Sequence, residues 1–346
     1  MKAFRMVGWH QDAQLVDIDD PAPGPGQVLV KIGGAGVCHS DLHLLYEFDA
    51  GMMPWAPPFT LGHENAGWVA ATGSGVTHLT EGTPVAVYGP WGCGRCHACA
   101  AGAENYCTVN PFGCPVGGLG ADGGMAELML VPSDRFLVPL PPALEPALAA
   151  PLTDAALTPY HAIAQARSRL FPGATAVVIG VGGLGHLALQ ILRATTDVQI
   201  IAVDPRAEAL TLAKDCGADV CLAGTADVVA EVRELTGGVG AHAVFDMVAS
   251  DATLRQAAAS VAAAGWIGIV GLGGGTLPVS VLSVPMGVTV RPTYWGTRTE
   301  LSEVLELAAR GGLRPETTSF PLSRAADAYR AVCEGSQIGR AVIVPD

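Results

Sequence analysis

A glycine-rich turn between a strand and a helix constrains the fold of this chain more than any other feature. The run A-T-A-V-V-I-G at 174–180 has the pattern of a buried strand, and G-V-G-G-L-G at 180–185 follows it and opens a helix over about 184–195. Gly180 permits a tight turn, Gly182 lets the backbone approach a pyrophosphate, and Gly185 lets the helix pack closely on the strand. With Gly183 and Leu184 they predict a dinucleotide site at a helix N-terminus. A plain strand-to-helix turn is the alternative.

The residue that ends the next strand indicates which dinucleotide binds. Asp204 ends a strand predicted at 199–204, 24 residues after Gly180. A carboxylate there accepts hydrogen bonds from ribose hydroxyls and repels a 2′-phosphate, so the sequence favours NAD over NADP. Arg206 could pair with such a phosphate, although we expect it to lie along the adenine or the protein surface.

Strands and helices alternate through the middle of the chain, whereas the first 150 residues contain many short strand-like runs. Further strands are predicted at 243–246, 266–271 and 288–291, and further helices at about 206–216 and 300–310. This alternation indicates βαβ units on a parallel sheet. We therefore predict an α/β protein with a Rossmann doubly wound parallel sheet over 155–294. A β-rich domain is predicted from 1–154 and 295–346.

Length and charge exclude several kinds of partner. A chain of 346 residues is too long for one ordinary core, which favours two domains. Its formal net charge of −13 argues against nucleic acid or an anionic membrane surface as a partner. The N-terminus has no apolar signal core and no segment reaches about 18 uninterrupted apolar residues, so we expect a cytoplasmic protein.

Four of the nine cysteines are crowded into one short segment. Cys93, Cys96, Cys99 and Cys107 have the spacing C-x2-C-x2-C-x7-C, which lets a loop direct four thiolates at one tetrahedral zinc ion. An iron–sulfur cluster or disulfides are the alternatives, but a reducing compartment and an odd cysteine count argue against a disulfide framework. Because four thiolates close the metal site, we predict a structural zinc in a lobe over about 90–115.

Three further residues, widely spaced in the sequence, are of the types that bind a catalytic zinc ion. Cys38 lies in V-C-H-S-D-L-H, His63 in G-H-E-N and Asp154 in P-L-T-D-A. A cysteine, a histidine and a carboxylate leave one zinc position for a substrate. Spacing alone does not join these three residues, since Cys38 could be a buried apolar thiol and Asp154 could cap the helix that follows.

Several motifs resemble one family over essentially the whole chain. G-H-E-x-x-G at 62–67, the cysteine spacing, the glycine turn and G-R-A-V at 339–342 are similar to those of the zinc-dependent medium-chain alcohol dehydrogenases. The segments Y-G-P-W-G-C-G-x-C-H-A-C-A at 88–100, P-L-T-D-A-x-L-T-P-Y-H-A at 151–162 and P-x-Y-W-G-T-R at 292–298 resemble actinobacterial NAD-dependent secondary alcohol dehydrogenases. This resemblance implies that the β-rich domain is GroES-like and catalytic.

The resemblance also implies a catalytic zinc, the second of two per chain. Its ligands would be Cys38, His63 and Asp154, with Glu64 beside the metal as a supporting or exchanging ligand. Many relatives carry cysteine where this chain has Asp154, but the close relatives carry aspartate. Asp41 would hydrogen-bond His63 and set its tautomer.

Proton transfer, cofactor binding and substrate binding are implied at further positions. Ser40 falls where the family places the hydroxyl that receives the alcohol proton, and His43 where some members pass that proton to solvent. The closest relatives lack that histidine. Arg340 is implied as a cofactor-binding residue. The implied substrate pocket has apolar walls formed by Trp55, Leu119, Tyr294 and Trp295.

The expected activity is reversible hydride transfer between NAD and an alcohol with apolar substituents, secondary rather than primary. A zinc-free quinone or enone reductase would lack the cysteine lobe and the G-H-E motif, and both are present. A nonenzymatic NAD- and zinc-binding protein would be expected to have lost a zinc ligand or a proton-relay residue, and the sequence shows no such loss. We expect a homodimer or homotetramer.

Overall fold

The computed structural model describes residues 1–112, 114–224 and 227–346. Residue 113, in the predicted zinc lobe, and residues 225–226, in the predicted Rossmann domain, lie outside the described residues. The described chain divides into two units. The first consists of Met1–Leu157, Trp295–Arg310 and Pro315–Asp346, and the second of Thr158–Tyr294 and Gly311–Arg314.

The first unit is mainly β-structure. Up to residue 157 its strands are β1 (Lys2–Met6), β2 (Gln14–Asp17), β3 (Val28–Gly36), β4 (Phe59–Thr60), β5 (Glu64–Thr72), β6 (Pro84–Val87), β7 (Val116–Gly117), β8 (Gly120–Ala121), β9 (Leu128–Val131) and β10 (Leu137–Pro139). Its α-helices there are α1 (His39–Tyr46), α2 (His97–Ala100) and α3 (Pro146–Ala149), with 3-10 helices at Glu104–Tyr106, Asp134–Phe136 and Ala150–Thr153. Short strands punctuated by glycine and proline fit the predicted β-rich texture.

The second unit is a parallel α/β sheet. Its helices are α4 (Leu157–Gln165), α5 (Gly185–Thr195), α6 (Ala207–Asp215), α7 (Val228–Leu235) and α8 (Asp251–Ser260), with a 3-10 helix at Arg167–Arg169. Its strands are β11 (Thr175–Ile179), β12 (Gln199–Val203), β13 (Val220–Leu222), β14 (Ala241–Asp246), β15 (Val261–Ile269) and β16 (Thr289–Pro292). Every residue of β11 is buried, as expected of a central parallel strand covered on both faces.

The strand order of this sheet identifies its topology. The order is β13-β12-β11-β14-β15-β16, and all five pairings are parallel. From β11 the chain adds β12 and β13 on one side and then returns to add β14, β15 and β16 on the other side. The boundary between β11 and β14 is therefore the switch point at which doubly wound sheets bind ligands. The predicted parallel sheet is confirmed.

The chain returns to the first unit through its last segments. These contain α9 (Arg298–Ala309), β17 (Thr317–Pro321), a 3-10 helix at Leu322–Arg324, α10 (Ala325–Cys333) and β18 (Arg340–Val344). Among the described residues they complete a seven-stranded sheet with the order β10-β6-β5-β3-β18-β17, in which β9 also pairs with β3. No helix in the described ranges is long and apolar enough to cross a membrane.

Candidate active site

Strand pairing in the first unit brings distant parts of the sequence together. β3 and β5 pair antiparallel with Gly36 opposite Glu64. Cys38 follows the end of β3 and immediately precedes α1, whereas His63 immediately precedes β5. β18 adds to the other edge of β3, with Val342 opposite Gly36. The register of three strands thus places two predicted ligands side by side.

The second set of metal-ligand types forms a real cluster. One ligand atom from each of Cys38, His63, Glu64 and Asp154 lies within 4.8 Å of the others. His63 Nε2 is 3.5 Å from Asp154 Oδ2, and two ligand atoms of a tetrahedral zinc with bonds near 2.1 Å lie about 3.4 Å apart. The donor types and spacing therefore fit zinc.

Cys38 and Asp154 both contribute an atom to this cluster, which favours metal binding over their alternative roles. Cys38 is buried, but its sulfur lies within 4.8 Å of possible ligand atoms of His63, Glu64 and Asp154 rather than among apolar side chains alone. α4 begins at Leu157, three residues beyond Asp154, so Asp154 is not the residue that precedes the helix.

His63 is buried among carboxylates. Its Nδ1 lies 3.2 Å from Asp41 Oδ1, and both side chains are almost completely buried. Burial opposes a charged imidazole, but Asp41 and Asp154 outweigh it and raise the pKa of His63 well above its ordinary value. The same carboxylates attract any cation, a proton or a metal ion.

Glu64 forms a buried ion pair with Arg340. Arg340 Nε donates a 3.0 Å hydrogen bond to Glu64 Oε2, and Arg340 Nη2 donates to Glu64 Oε1. Burial raises the pKa of Glu64 against the lowering effect of Arg340. Burial also opposes the charge of Arg340, but the Glu64 carboxylate outweighs it and raises the pKa of Arg340 well above its ordinary value. Arg340 donates one hydrogen bond to each oxygen, which leaves further lone pairs of the carboxylate for a metal ion.

Two residues with a predicted proton-transfer role lie on α1. Ser40 Oγ is 3.5 Å from His63 Nε2, so its hydroxyl borders the ligand cluster. His43 Nδ1 is 2.7 Å from Glu47 Oε2, and its ring meets that of His39 edge-on at 5.2 Å. Glu47 and His39 were not singled out from the sequence, although the i,i+4 spacing of His43 and Glu47 is a visible signal.

The predicted pocket residues have different surroundings. The Trp295 indole meets the His63 ring edge-on at 5.8 Å, and its Nε1 donates a 3.1 Å hydrogen bond to Thr153 O. Trp55 stacks on Trp9 at 5.9 Å. Leu119 and Tyr294 are half-buried, the first in the first unit and the second in the second unit.

Trp295 is held in place by its backbone and by a glycine. Its φ of 49° lies in the left-handed region, which is costly for a bulky residue. A Cβ at Gly89 would lie 2.2 Å from Trp295 Cζ2, so only glycine fits there. The indole is therefore closely packed between Gly89 and the ring of His63.

The four crowded cysteines also form a cluster. The Sγ atoms of Cys96 and Cys99 are 3.5 Å apart, those of Cys96 and Cys107 3.8 Å, and those of Cys93 and Cys99 4.0 Å. Four sulfurs around zinc at about 2.3 Å lie about 3.8 Å from one another. None of the nine cysteines, all within the described ranges, forms a disulfide. The geometry fits a closed zinc site.

The polypeptide prepares this cluster for anionic sulfur. The amides of Cys93 and Asn110 donate to Cys107 Sγ, and the amide of Cys96 donates to Cys93 Sγ. Hydrogen bonds from backbone amides, first that of Cys99, lower the pKa of Cys96 to about 5, whereas burial raises the pKa of Cys99 to about 12. A bound zinc ion deprotonates coordinating thiols, so it would override this difference.

An ion pair anchors the lobe. Arg135 Nη1 donates a 2.8 Å hydrogen bond to Glu104 Oε1, and Arg135 Nη2 donates to the carbonyl of Gly92. Arg298 in turn donates to the carbonyl of Arg135. No local sequence pattern indicates this arrangement, because its members are 31 residues apart or more.

The glycine turn of the second unit has the geometry of an anion site. Gly180 has a φ of 89°, and a Cβ at Gly185 would lie 1.8 Å from Gly180 O. A Cβ at Gly182 would meet no described atom within 4 Å, so protein packing does not require that glycine. Leu184, at the N-cap of α5, makes no side-chain capping bond, and the amide of His186 donates to Gly182 O. The helix N-terminus thus has no described side chain in the position of a phosphate. Gly183 completes the turn.

Asp204 lies beside this turn and is fully engaged. Its Oδ2 accepts a 2.8 Å hydrogen bond from the amide of Val181. Arg206 donates through its amide and Nε to Oδ1 and through Nη2 to Oδ2. Burial raises the pKa of Asp204, but these hydrogen bonds outweigh it and lower the pKa below its ordinary value. The structure places Arg206 on the carboxylate, a contact that the sequence did not predict.

Two family models match most of the chain. The model of the alcohol dehydrogenase GroES-like domain matches residues 24–142, and that of the zinc-binding dehydrogenase matches residues 183–310. An NAD-dependent alcohol dehydrogenase from Sulfurisphaera tokodaii is 37% identical, with complete coverage of both chains.

Solved structures agree with this match. The alcohol dehydrogenase from Aeropyrum pernix is 36% identical, with a TM-score of 0.92 and complete coverage of both chains. Acetophenone reductase from Geotrichum candidum, solved with NAD, is 30% identical with a TM-score of 0.86, covering 99% of this chain and 96% of that one.

Both family models match, a full-length relative is 37% identical, and two sites have donor atoms that fit zinc. The chain therefore belongs to the zinc-dependent medium-chain alcohol dehydrogenases. The predicted family and the predicted GroES-like plus Rossmann architecture are confirmed. The particular similarity to actinobacterial members stays a prediction.

Proposed function

We propose that this alcohol dehydrogenase oxidises secondary alcohols with apolar substituents, reversibly and with NAD, at a zinc ion held by Cys38, His63 and Asp154. The observation that carries the proposal is the cluster of a thiol, an imidazole and carboxylates beside the indole of Trp295. Three ligands leave a fourth position for the substrate. A closed four-cysteine site elsewhere in the same unit cannot take this role, since its ligands saturate the metal.

The protein's own side chains would move the proton. When bound, zinc supplies a Lewis acid for the substrate oxygen and NAD supplies a hydride acceptor. Ser40 would accept the proton of the alcohol hydroxyl through Oγ, 3.5 Å from His63 Nε2. His43, 15% exposed and oriented by Glu47, would pass it to water. The Trp295 ring would exclude water from one side of the ligand histidine.

NAD would bind at the glycine turn of the second unit, with its pyrophosphate at the N-terminus of α5. Asp204 would take the ribose hydroxyls in place of donors from Arg206, which bonds both of its oxygens, and its charge would disfavour a 2′-phosphate. Arg340 as a cofactor contact stays a prediction, and its ion pair with Glu64 would leave only part of the guanidinium for that role.

Replacing Asp204 with alanine tests the cofactor assignment. Loss of the carboxylate removes a hydrogen-bond acceptor for NAD and releases Arg206. We expect NAD affinity to fall at least about tenfold and NADP affinity to rise, because the freed guanidinium can pair with the 2′-phosphate. Titrations of the single variant and of the variant that also carries Arg206→Ala measure this effect.

The double variant is the control, since it should lose the gain for NADP while it keeps the loss for NAD. A wild-type protein that binds NADP more tightly than NAD would overturn the assignment.

The substrate class follows from the walls of the zinc site. Trp295 presents apolar surface to the ligand histidine. Trp55, the other tryptophan predicted in the pocket, packs with Trp9 and Phe59 in the same unit. An apolar wall beside the zinc suits a carbinol carbon with hydrocarbon arms. Acetophenone reductase, named for an aryl alkyl ketone, supports this class.

A substrate panel checks the preference for secondary alcohols. We expect 2-butanol and cyclohexanol to be oxidised with higher kcat/KM than 1-butanol, and much higher than sorbitol. Each hydroxyl of sorbitol left unmatched against an apolar wall costs about 1–3 kcal/mol. Absorbance of the reduced cofactor gives the rates. Faster turnover of sorbitol than of 2-butanol would refute the proposed class, and faster turnover of 1-butanol would favour a primary alcohol dehydrogenase.

Self-association into a dimer or tetramer also stays a proposal. Exposed apolar side chains near the edge strand β16 support it, with Val281 75%, Leu282 97% and Met286 75% exposed. A cytoplasmic location stays a prediction.

A further inference from the structure

Tyr329 contacts the carboxylate that lies behind the ligand histidine. It belongs to α10 and is 5% exposed. Its hydroxyl donates a 2.8 Å hydrogen bond to Asp41 Oδ2, across 288 positions of sequence. Met125 Sδ lies 3.1 Å from the same hydroxyl, and the Phe4 ring packs against the phenol ring at 5.5 Å.

The Asp41 carboxylate accepts hydrogen bonds at Oδ2 and faces the ring of His63 with Oδ1. Oδ2 accepts from the Tyr329 hydroxyl and, at a longer 3.3 Å, from the amide of Cys38. Oδ1 lies 3.2 Å from His63 Nδ1. A rotation of the carboxylate would therefore change the partner of Nδ1, and with it the direction in which the imidazole presents Nε2.

The hydrogen bond from the Tyr329 hydroxyl is the shortest of these contacts. Within the described ranges, Tyr329 is also the only side chain that donates to Oδ2 of Asp41. Hydrogen bonds to an ionised acceptor are roughly twice as strong as neutral ones. Burial, and then the charge of Asp41, raise the pKa of Tyr329 well above its ordinary value, so the phenol keeps its proton and remains a donor.

We propose that Tyr329 is a positioning residue for the catalytic zinc, which acts through Asp41 to hold His63 with Nε2 directed at the metal. The inference rests on the proposed function, because it needs zinc at Cys38 and His63. Outer partners of a ligand histidine are typically worth about 10–100-fold in metal affinity or activity. Tyr329→Phe would keep the ring beside Phe4 and remove only the hydroxyl.

The test measures how fast zinc leaves the folded protein for a chromogenic chelator. In Tyr329→Phe we expect one of the two zinc ions to dissociate about 10–100-fold faster and the zinc of the cysteine lobe to leave at the wild-type rate. Cobalt substituted at the catalytic site should show shifted visible absorption bands, since the histidine changes its orientation.

Two matched variants control for the loss of a tyrosine hydroxyl. Tyr88→Phe removes a buried 2.7 Å hydrogen bond to Gly296 O, and Tyr46→Phe removes an exposed 2.8 Å hydrogen bond to Asp12. Both should release zinc at the wild-type rates. Thermal unfolding of each variant reports whether stability, rather than the histidine, has changed.

A double-mutant cycle with Asp41→Asn separates positioning from packing. If Tyr329 acts through Asp41, removing its hydroxyl in the Asp41→Asn background should change the dissociation rate by less than about twofold. In the wild-type protein the Tyr329 hydroxyl proton should also give a slowly exchanging NMR signal that Asp41→Asn removes. This second measurement applies even if Tyr329→Phe does not fold.

The outcomes distinguish this inference from the proposed function. Wild-type dissociation rates in Tyr329→Phe, or a full effect of the hydroxyl in the Asp41→Asn background, would overturn the positioning role and leave the dehydrogenase intact. A wild-type protein that binds no zinc at Cys38 and His63 would overturn the proposed function itself, and the positioning role with it.

Discussion

Ser40→Ala is expected to lower the turnover of alcohol by about 10²–10⁴-fold, the usual value of a general acid–base step. The hydroxyl borders the ligand cluster, with Oγ 3.5 Å from His63 Nε2, so alanine leaves the substrate proton without an acceptor there. Zinc content should be unchanged, because Ser40 is not among the clustered metal-ligand residues. The measurement is turnover against pH, with zinc determined in the same sample.

His43→Ala is the matched variant on the same helix. Its imidazole is 15% exposed and hydrogen-bonded to the exposed Glu47, so water can substitute for it. We expect a smaller loss, about tenfold, mainly below neutral pH, and partial rescue by exogenous imidazole. A Ser40 variant with a near wild-type rate would remove Ser40 from the proton path. An unaltered pH profile in the His43 variant would leave that histidine with a structural role only.

Cys96→Ser is expected to empty the cysteine site and loosen the lobe. Three remaining thiolates bind zinc far less well than four, and structural zinc contributes about 10–16 kcal/mol of apparent binding free energy in small zinc domains. Zinc content should fall from about two ions per chain to about one, matching the two clusters. Hydrogen exchange over residues 90–115 should accelerate, and the thermal unfolding temperature should drop.

Cys114→Ser is the control for this variant, since Cys114 is half-buried in the same region but is absent from the four-sulfur cluster. It should retain both zinc ions. Unchanged zinc content and stability in Cys96→Ser would mean that the cluster has no structural role.

The features that the sequence predicted depend on short-range patterns. The glycine turn and Asp204 follow two successive strands of one βαβ unit. Cys93, Cys96 and Cys99 are each separated by two residues. Local geometry therefore fixes the relation of the residues within each set. Strand β13 and helices α7 and α8 were not predicted. β13 is only three residues long, and α8 contains one large apolar residue, too few to give a periodic apolar face.

The contacts that the sequence could not predict join distant segments. Cys38 meets His63 through the register of β3 on β5. Arg340 meets Glu64 across 276 positions, and Tyr329 meets Asp41 across 288. No spacing rule reaches so far, and only the resemblance to a family connected the zinc ligands in advance. Arg206 shows the converse case, since its neighbour Asp204 is two positions away but only the side-chain conformation reveals their contact.

Restoring zinc stepwise to the metal-free protein shows whether the zinc at Cys38 and His63 carries the activity. The initial rate of NAD reduction with a secondary alcohol is followed as zinc is added, with bound metal counted per chain. Because the four-thiolate site should fill first, we expect almost no turnover up to about one zinc per chain and a steep rise as the second site, with Cys38 and His63, fills. Full turnover with one zinc or none, or no turnover with two, would contradict this expectation.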